Sequence, residues 1–340
     1  MSALAVHLVT HNNAATLEAC LDSLRAQQPT PPIRLRILDN ASEDETRSMA
    51  RRYTAELIES PVNLGYAAAH NRLLALSAEP YVLTLNPDVR LAPDFCAQML
   101  RALEEQPRAG SAAGCLLRCD SLAALPYAVD SVGLFMRRSR RQGLIAENCP
   151  VDQRPPHAFE VFGVDGAAAC YRRAMLSDIA LDGEIFDEDF FMHKEDVDLS
   201  WRAQLCGWRC LYVPEAQALH IRTFRPGKRE RVPPWLRRLA LRNRYLLLLK
   251  NDFPAHLLRD ALPVLAYEGG ILAYLLLREP RSLLAYWEAW RLRGKMLAKR
   301  RLLRAKRRRT WRELRHWFGA PSSARYTHAP DVSLVRDRRP

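Results

Sequence analysis

No run of twenty apolar residues occurs in this 340-residue chain. The longest such stretch, residues 261–277, is interrupted by Glu268 and two glycines, short of the roughly 20 residues that a membrane-spanning helix needs. The start, Met1-Ser2-Ala3-Leu4-Ala5-Val6, lacks a charged leader segment and runs directly into a strand pattern, so no secretory signal is expected. The eight cysteines are scattered. Cys115/Cys119 and Cys206/Cys210 are each four apart and no CxxC occurs, so neither a structural zinc site nor a disulfide framework is expected. Reduced cysteines buried as small hydrophobes fit a cytosolic protein. Nor does a glycine-rich basic loop follow the first strand pattern. That position reads His11-Asn12-Asn13-Ala14, which argues against nucleotidyl transfer.

A large excess of one charge sign is missing from most of the chain. Residues 1–230 hold 25 Lys and Arg against 30 Asp and Glu, whereas residues 231–317 hold 22 against 6. The net +13 therefore comes from the C-terminal third. A near-neutral body with a basic appendage suits an anionic surface better than a nucleic-acid groove spread over the whole protein.

The first half alternates strand and helix patterns. Strands are predicted over Leu4–Thr10, Ile33–Leu38, Leu57–Glu59 and Tyr81–Leu85, and helices over residues 14–27, 44–53, 66–78 and 93–105. Such alternation implies a mostly parallel sheet covered by helices on both faces, with ligands at the carboxyl ends of the strands. The polar clusters Thr10-His11-Asn12, Asp39-Asn40 and Asn86-Pro87-Asp88 all fall at those ends. Residues 106–160 read as strands with a mobile loop, 161–222 as a second patterned block, 232–317 as helical, and 318–340 as a flexible tail. The expected organisation is a domain over 1–230, with halves divided near 105, then a helical basic region over 231–317.

Each cluster has a chemical reading and a plainer one. Asp88, in a turn set by Pro87, can meet a divalent cation on a diphosphate, or be a turn former. Asp39 can accept a hydrogen bond from a pyrimidine ring while Asn40 fixes orientation, and Ser42 can cap the next helix. Asn63-Leu64-Gly65-Tyr66-Ala67 opens a helix whose small residues permit close approach of a ligand, with Asn71 two turns on. Six acids fall within residues 187–198, interleaved with aromatics. Asp196 at a helix start can act as a base, and Asp198 and Arg202 are spaced to pair. His220 is a lone histidine unless it joins Asp88 at a metal.

These stretches, in this order and spacing, resemble family 2 glycosyltransferases, specifically the bacterial rhamnosyltransferase-like branch. The resemblance covers Val9–Asn12, Leu38–Ser42, Asn63–Ala67, Leu85–Val89, Gly166–Ala168, Phe186–Glu188 and Glu195–Leu199. It implies a GT-A fold, Rossmann-like, and an inverting single displacement. Thr10, His11, Asn12, Asp39, Asn40, Asn63, Gly65, Asn71, Asn86 and Asp88 are then expected to line the nucleotide-sugar donor site. Asp88 and His220 are expected to hold Mg²⁺ or Mn²⁺, and Asp196 to be the general base, with Glu195, Asp198, Trp201 and Arg202 on the acceptor side. The branch suggests dTDP-rhamnose as donor, with UDP-sugars as the other option, and a glycan or polyprenyl-linked acceptor in cell-envelope polysaccharide synthesis. His11 stands where relatives usually carry Tyr, and Asn86 replaces the first acid of the metal motif.

The C-terminal region is expected to lie in the plane of an anionic membrane surface. Trp287, Trp290, Trp311 and Trp317 would sit at headgroup level, and the run from Lys299 to Arg309 would meet acidic lipid. That places the enzyme in the cytoplasm, peripheral on the inner membrane face.

Overall fold

In the computed structural model, residues 1–53, 56–222 and 232–319 are described. The order of elements is β1 (Leu4–Thr10), α1 (Ala14–Arg25), β2 (Ile33–Asn40), α2 (Thr46–Ala50), β3 (Glu56–Ser60), α3 (Gly65–Ala75), β4 (Tyr81–Leu85), β5 (Val89–Leu91) and α4 (Phe95–Glu105). After these come β6 (Ala109–Arg118), β7 (Ala128–Ser131), β8 (Leu134–Met136), β9 (Gln142–Leu144), β10 (Phe159–Val161), β11 (Ala168–Arg172), α5 (Arg173–Ile179), α6 (Glu195–Leu205) and β12 (Arg209–His220). The helices α7 (Pro234–Asn251), α8 (Pro254–Arg259), α9 (Ala261–Arg278), α10 (Leu284–Lys306) and α11 (Trp311–Leu314) follow.

One sheet organises the molecule, in the order β10-β12-β6-β11-β4-β1-β2-β3. The half built from β4, β1, β2 and β3 is parallel, as the alternation predicts. Beyond it β11 runs antiparallel to both β4 and β6, so the whole sheet is mixed. Its residues alternate between two cores. Leu4, Val6 and Leu8 of β1 join α1 and α4 on one face, while Ala5 and Val82 join α3 and α6 on the other. This is the double covering expected of strands with few polar positions.

Register brings the polar clusters to one edge. Thr10 pairs with Asp39, Leu8 with Leu85, and Ala168 with Leu85. The turns after β1, β2 and β4 and the turn before β11 therefore share that edge. β12 is longer than its sequence suggests, because Pro214 and Glu215 lie in a register irregularity between Val213 and Gln217 rather than at a strand end. The strand continues to His220, which pairs with Val89 and so lies beside Asp88.

The basic C-terminal helices pack on the body. Leu246, Leu247, Met296 and Leu303 belong to the same core as Trp201 and Phe190. Phe318, predicted to begin the tail, is buried at 4% exposure and bridges to Met136. The rest of that predicted tail, residues 320–340, and the predicted domain boundary at 230/231 lie outside the described residues. Among the described residues α9 is the one helix long and apolar enough to cross a membrane, with mean hydropathy 1.3.

Candidate active site

The nucleoside-side loops are knitted together by side chains. Asp39 is fully buried, and its carboxylate accepts from Thr10 Oγ1 (3.3 Å), the Ser42 amide (3.2 Å) and Arg47 Nε (3.1 Å). Ser42 does not cap α2, because its hydroxyl accepts from the Asn12 amide at 3.0 Å. Asn12, at φ 56°, returns the contact by accepting from the Glu43 amide at 2.8 Å. His11 is exposed, with Nδ1 at 2.9 Å from the Asn40 carbonyl. Asp39 thus fixes the floor of this edge, with Arg47 lying over it, while His11 and Asn12 are exposed.

Asn40 and Asn63 also act on backbone. Asn40 Nδ2 donates to Asn63 Oδ1 at 2.9 Å and Asn40 Oδ1 accepts from the Leu64 amide at 2.7 Å. Asn63 Oδ1 accepts from the Gly65 amide at 2.9 Å as well. Gly65 is required twice over. Its φ is +77°, and a Cβ there would lie 2.4 Å from the Phe191 ring and 2.6 Å from the Phe191 carbonyl oxygen. Gly65→Ala is therefore expected to cost at least about 2 kcal/mol, from positive-φ strain plus a clash with backbone, read as a lower urea midpoint at unchanged slope. The contact is local because α3 docks on the 186–191 segment. The Ala67 amide donates to the Phe191 carbonyl at 3.1 Å. Asn71 donates to the Phe186 carbonyl at 2.8 Å and accepts from the Phe186 amide at 2.9 Å. Asn71 is a staple between these segments, not a group turned toward a ligand.

Asp88 is an incompletely satisfied acid on the edge. Its Oδ1 is buried without a hydrogen-bond partner and lies 3.7 Å from His220 Nε2. Burial raises the Asp88 pKa, against the pull of His220 and Arg222. His220 Nδ1 contacts Asp130 Oδ2 at 2.8 Å, and Asp130 is also held by Arg118 and Arg222. Burial disfavours the charged imidazole, yet the hydrogen bond to Asp130 and the Asp88 charge together raise its pKa. Arg222 continues the chain of contacts to Asp165. Among the described residues no group of three or more His, Cys, Asp or Glu is arranged to hold a metal. Asp88 and His220 nonetheless fit a cation that draws its other ligands from a diphosphate. An oxygen without a partner faces an imidazole nitrogen, and a carboxylate orients the ring from behind.

Asp196 lies across the edge at the start of α6. Its Oδ2 accepts from the Gly166 amide at 3.3 Å and its Oδ1 from the Val197 amide at 2.7 Å. Burial, reinforced by the neighbouring Asp165 charge, pushes its pKa up to about 6. Desolvation thus outweighs the helix dipole expected to keep it low. Glu195 Oε2 is buried without a partner, and burial with the Asp196 charge raises its pKa well above the usual range. Burial lowers Lys194, helped by Arg244, to about 8, and Lys194 Nζ donates to Gln142 Oε1 at 2.7 Å.

Three acceptor-side assignments are corrected. Asp198 is fully buried and pairs with Arg202 at 2.9 Å and Lys250 at 2.8 Å. Arg202 also donates to the carbonyls of Ile179 and Ile185 at 2.7 and 2.6 Å. Trp201 packs in the core against Phe162 and Phe318. Asp198, Trp201 and Arg202 thus project from α6 into the protein, a third of a turn or more from the direction of Asp196. Asp130, Asp165 and Arg222 were not found from sequence. Asp130 and Arg222 lie in segments without a recognisable motif, and Asp165 directly precedes Gly166–Ala168; the pairings of β7 with β6, β11 with β4 and β12 with β5 bring the three toward Asp88.

The Glycosyl transferase family 2 model matches residues 5–167. The chain is similar to the N-acetylglucosaminyl-diphospho-decaprenol L-rhamnosyltransferase of Mycobacterium tuberculosis, 31% identical over 250 residues that cover 66% of this chain and 78% of that one. It is also similar to the rhamnosyltransferase WbbL of Escherichia coli, 26% identical over 63% of this chain and 81% of the relative. In fold it is similar to the Pyrobaculum calidifontis mannosyltransferase PcManGT, solved with GDP-Man and Mn²⁺, at TM-score 0.51 and 18% identity over 92% of this chain and 82% of that one. The chain has a GT-A-like fold and belongs to glycosyl transferase family 2 as a rhamnosyltransferase-like glycosyltransferase.

Proposed function

We propose that the enzyme transfers rhamnose, with inversion and with a divalent cation, from dTDP-rhamnose to a polyprenyl-diphosphate-linked glycan at the inner face of the membrane. The observation that carries this reading is the pairing, along one sheet edge, of Asp88 and His220 with Asp196. Asp88 and His220 would hold Mg²⁺ or Mn²⁺, which would supply positive charge beside the nucleoside diphosphate. Asp196, desolvated and held by two backbone amides, takes the proton of the acceptor hydroxyl as that oxygen attacks the anomeric carbon. One displacement gives one inversion, and no carboxylate nucleophile is required. Thr10, Asn12, Asp39 and Asn40 fix the loops that shape the nucleoside side. The decaprenol-linked substrate named for the mycobacterial relative supports a polyprenyl acceptor, and the Mn²⁺ of the mannosyltransferase complex supports a cation.

The test is release of nucleoside diphosphate from a panel of dTDP- and UDP-sugars, with a polyprenyl-diphosphate-linked N-acetylglucosamine acceptor. Turnover with dTDP-rhamnose that is lost on chelation and regained with Mg²⁺ or Mn²⁺ is expected. Turnover unaffected by EDTA sinks the metal assignment. Asp88→Asn is expected to raise the half-saturating cation concentration about 30-fold, within the range lost when an important metal contact is removed.

The membrane side of the proposal rests on α8–α10. Leu258, Leu262, Leu265, Leu277, Trp287 and Trp290 are all exposed. Glu268, at the middle of α9, pairs with Arg244 at 2.6 Å and with Tyr245, which ties α9 along the body and favours an in-plane helix over a span. Part of the basic run, Lys299, Arg300 and Lys306, turns inward, and exposed Arg308 and Arg309 pair with Asp178 and Glu313. Lys306 donates to the Asp178 and Ala180 carbonyls and Arg300 to those of Leu249 and Asp252. Trp311 and Trp317 pack against the core. Apolar contact by Trp287 and Trp290 is therefore the main attraction. Trp287→Ser/Trp290→Ser is expected to lower the fraction floating with vesicles at least fivefold. A loss that instead follows only salt or lipid charge contradicts this.

A further inference from the structure

The helix α7 reaches into the segment that leads to Asp196. Asn243 is fully buried, and its Nδ2 lies 2.8, 2.9 and 2.8 Å from the carbonyl oxygens of Phe190, Met192 and His193. Its Oδ1 accepts from Arg242 Nε at 3.0 Å, and Arg242 Nη2 donates to the Asp189 carbonyl at 2.6 Å. The segment gripped in this way is unusual. Phe191, His193 and Lys194 have φ of 63°, 64° and 72°, a left-handed conformation that non-glycine residues hold only when their surroundings impose it. Backbone twisted in this way cannot pair its carbonyls within a helix or strand, and one buried amide gathers three of them. Lys194 then passes straight into α6, where its carbonyl accepts from the Asp198 amide at 2.9 Å.

We infer that Asn243 is a positioning residue for Asp196: by collecting the carbonyls of Phe190, Met192 and His193 it sets the angle at which the chain enters α6. This rests on the reading of Asp196 as the base. Asn243 touches no reacting atom. Its effect is on where the Asp196 carboxylate sits among the groups that face it, which are Asp165, Lys194, Glu195, Tyr66 and Tyr171. It also makes α7 part of the catalytic apparatus, although α7 lies beyond the residues that the family model matches.

The experiment compares Asn243→Ala and Asn243→Gln with the wild-type full-length enzyme, measuring kcat, donor KM, the acid limb of the pH profile and amide hydrogen exchange over residues 190–196. The expected result for Asn243→Ala is a fall in kcat of about 30-fold with donor KM within twofold, an acid limb moved to lower pH as Asp196 becomes hydrated, and faster exchange confined to 190–196. Asn243→Gln keeps the amide one methylene further out and is expected to retain more kcat than the alanine variant. Wild-type kcat and exchange in a folded Asn243→Ala overturn the inference, as does a change in donor KM alone. If the alanine variant does not fold, Asn243→Gln decides: a lowered kcat with a shifted acid limb supports positioning, and wild-type behaviour overturns it. Near-wild-type turnover by Asp196→Asn is failure of the base assignment itself, and the exchange measurement then judges Asn243 without it.

Discussion

Asp196→Asn is expected to lower kcat about 1,000-fold, in the middle of the range for removal of a general base, with the donor KM little changed. The base is useful because it is desolvated. Burial and the Asp165 charge raise its pKa to about 6, closer to neutrality than a hydrated aspartate, so it both ionises at pH 7 and holds a proton strongly. In the wild type kcat/KM should fall tenfold per pH unit below about pH 6, as the base becomes protonated. The linkage to stability has the opposite sense. A carboxyl whose folded-state pKa lies above its unfolded value binds its proton more tightly when folded, so its contribution favours the fold at low pH and is lost as pH rises from about 4 through 6. Asparagine carries no charge to desolvate. The Asp196→Asn protein is therefore expected to be no less stable than wild type at pH 7, and inactivity cannot be attributed to unfolding. Single-turnover rates and thermal melts at pH 5 and pH 7.5 check both halves. Turnover within tenfold of wild type removes Asp196 from the mechanism.

The parallel half of the fold was legible because its signals are local. β1 and β4 fall at the predicted residues, since each is an apolar run closed by polar turn formers. Asp88 and Asp196 could be singled out as candidates for the same reason: each sits in a short motif at an element end. What could not be read depends on contacts distant in sequence. Asp130 is 90 residues from His220 and carries no motif, yet it orients that ring. The resemblance puts Asn71 and Gly65 among the donor-site residues, whereas in the fold the Asn71 amide and the space beside Gly65 are taken up in docking α3 on residues 186–191. Asp198 and Arg202 were correctly paired by helical spacing, but spacing alone does not say which way a pair points. Burial decides that, and it turns Asp198 toward Lys250 and Asn251 of α7 and Arg202 toward the carbonyls of Ile179 and Ile185. The basic C-terminal region was legible only in part. Composition reports charge, whereas Lys250, Lys299 and Lys306 find their partners inside the protein.

Those inward lysines set the second large effect. Lys250 is fully buried, with Nζ against Asp187 Oδ2 and 2.8 Å from Asp198 Oδ1, and Lys299 approaches the other oxygen of Asp187 at 2.6 Å. Burial opposes the charge on Asp187, but Lys250 and Lys299 together hold its pKa far below the ordinary range. Lys250→Met fills similar volume and leaves two acids in the interior, Asp187 with Lys299 and the Asp189 amide and Asp198 with Arg202 and Asn251. Breaking one partner out of a buried pair costs roughly 3–5 kcal/mol, and in a chain of this size that corresponds to about 10 °C in Tm. The sign with pH follows from the depressed carboxylate. Its stabilisation is present above the unfolded pKa near 4 and is lost as pH falls, so the gap between variant and wild type should narrow on acidification. Asp187 sits in the segment that α3 and Asn243 also grip, so the same substitution should reduce turnover even below its melting temperature. A Tm within 2 °C of wild type at pH 7 would falsify the view that this network, rather than apolar packing alone, fastens the C-terminal helices to the catalytic loop.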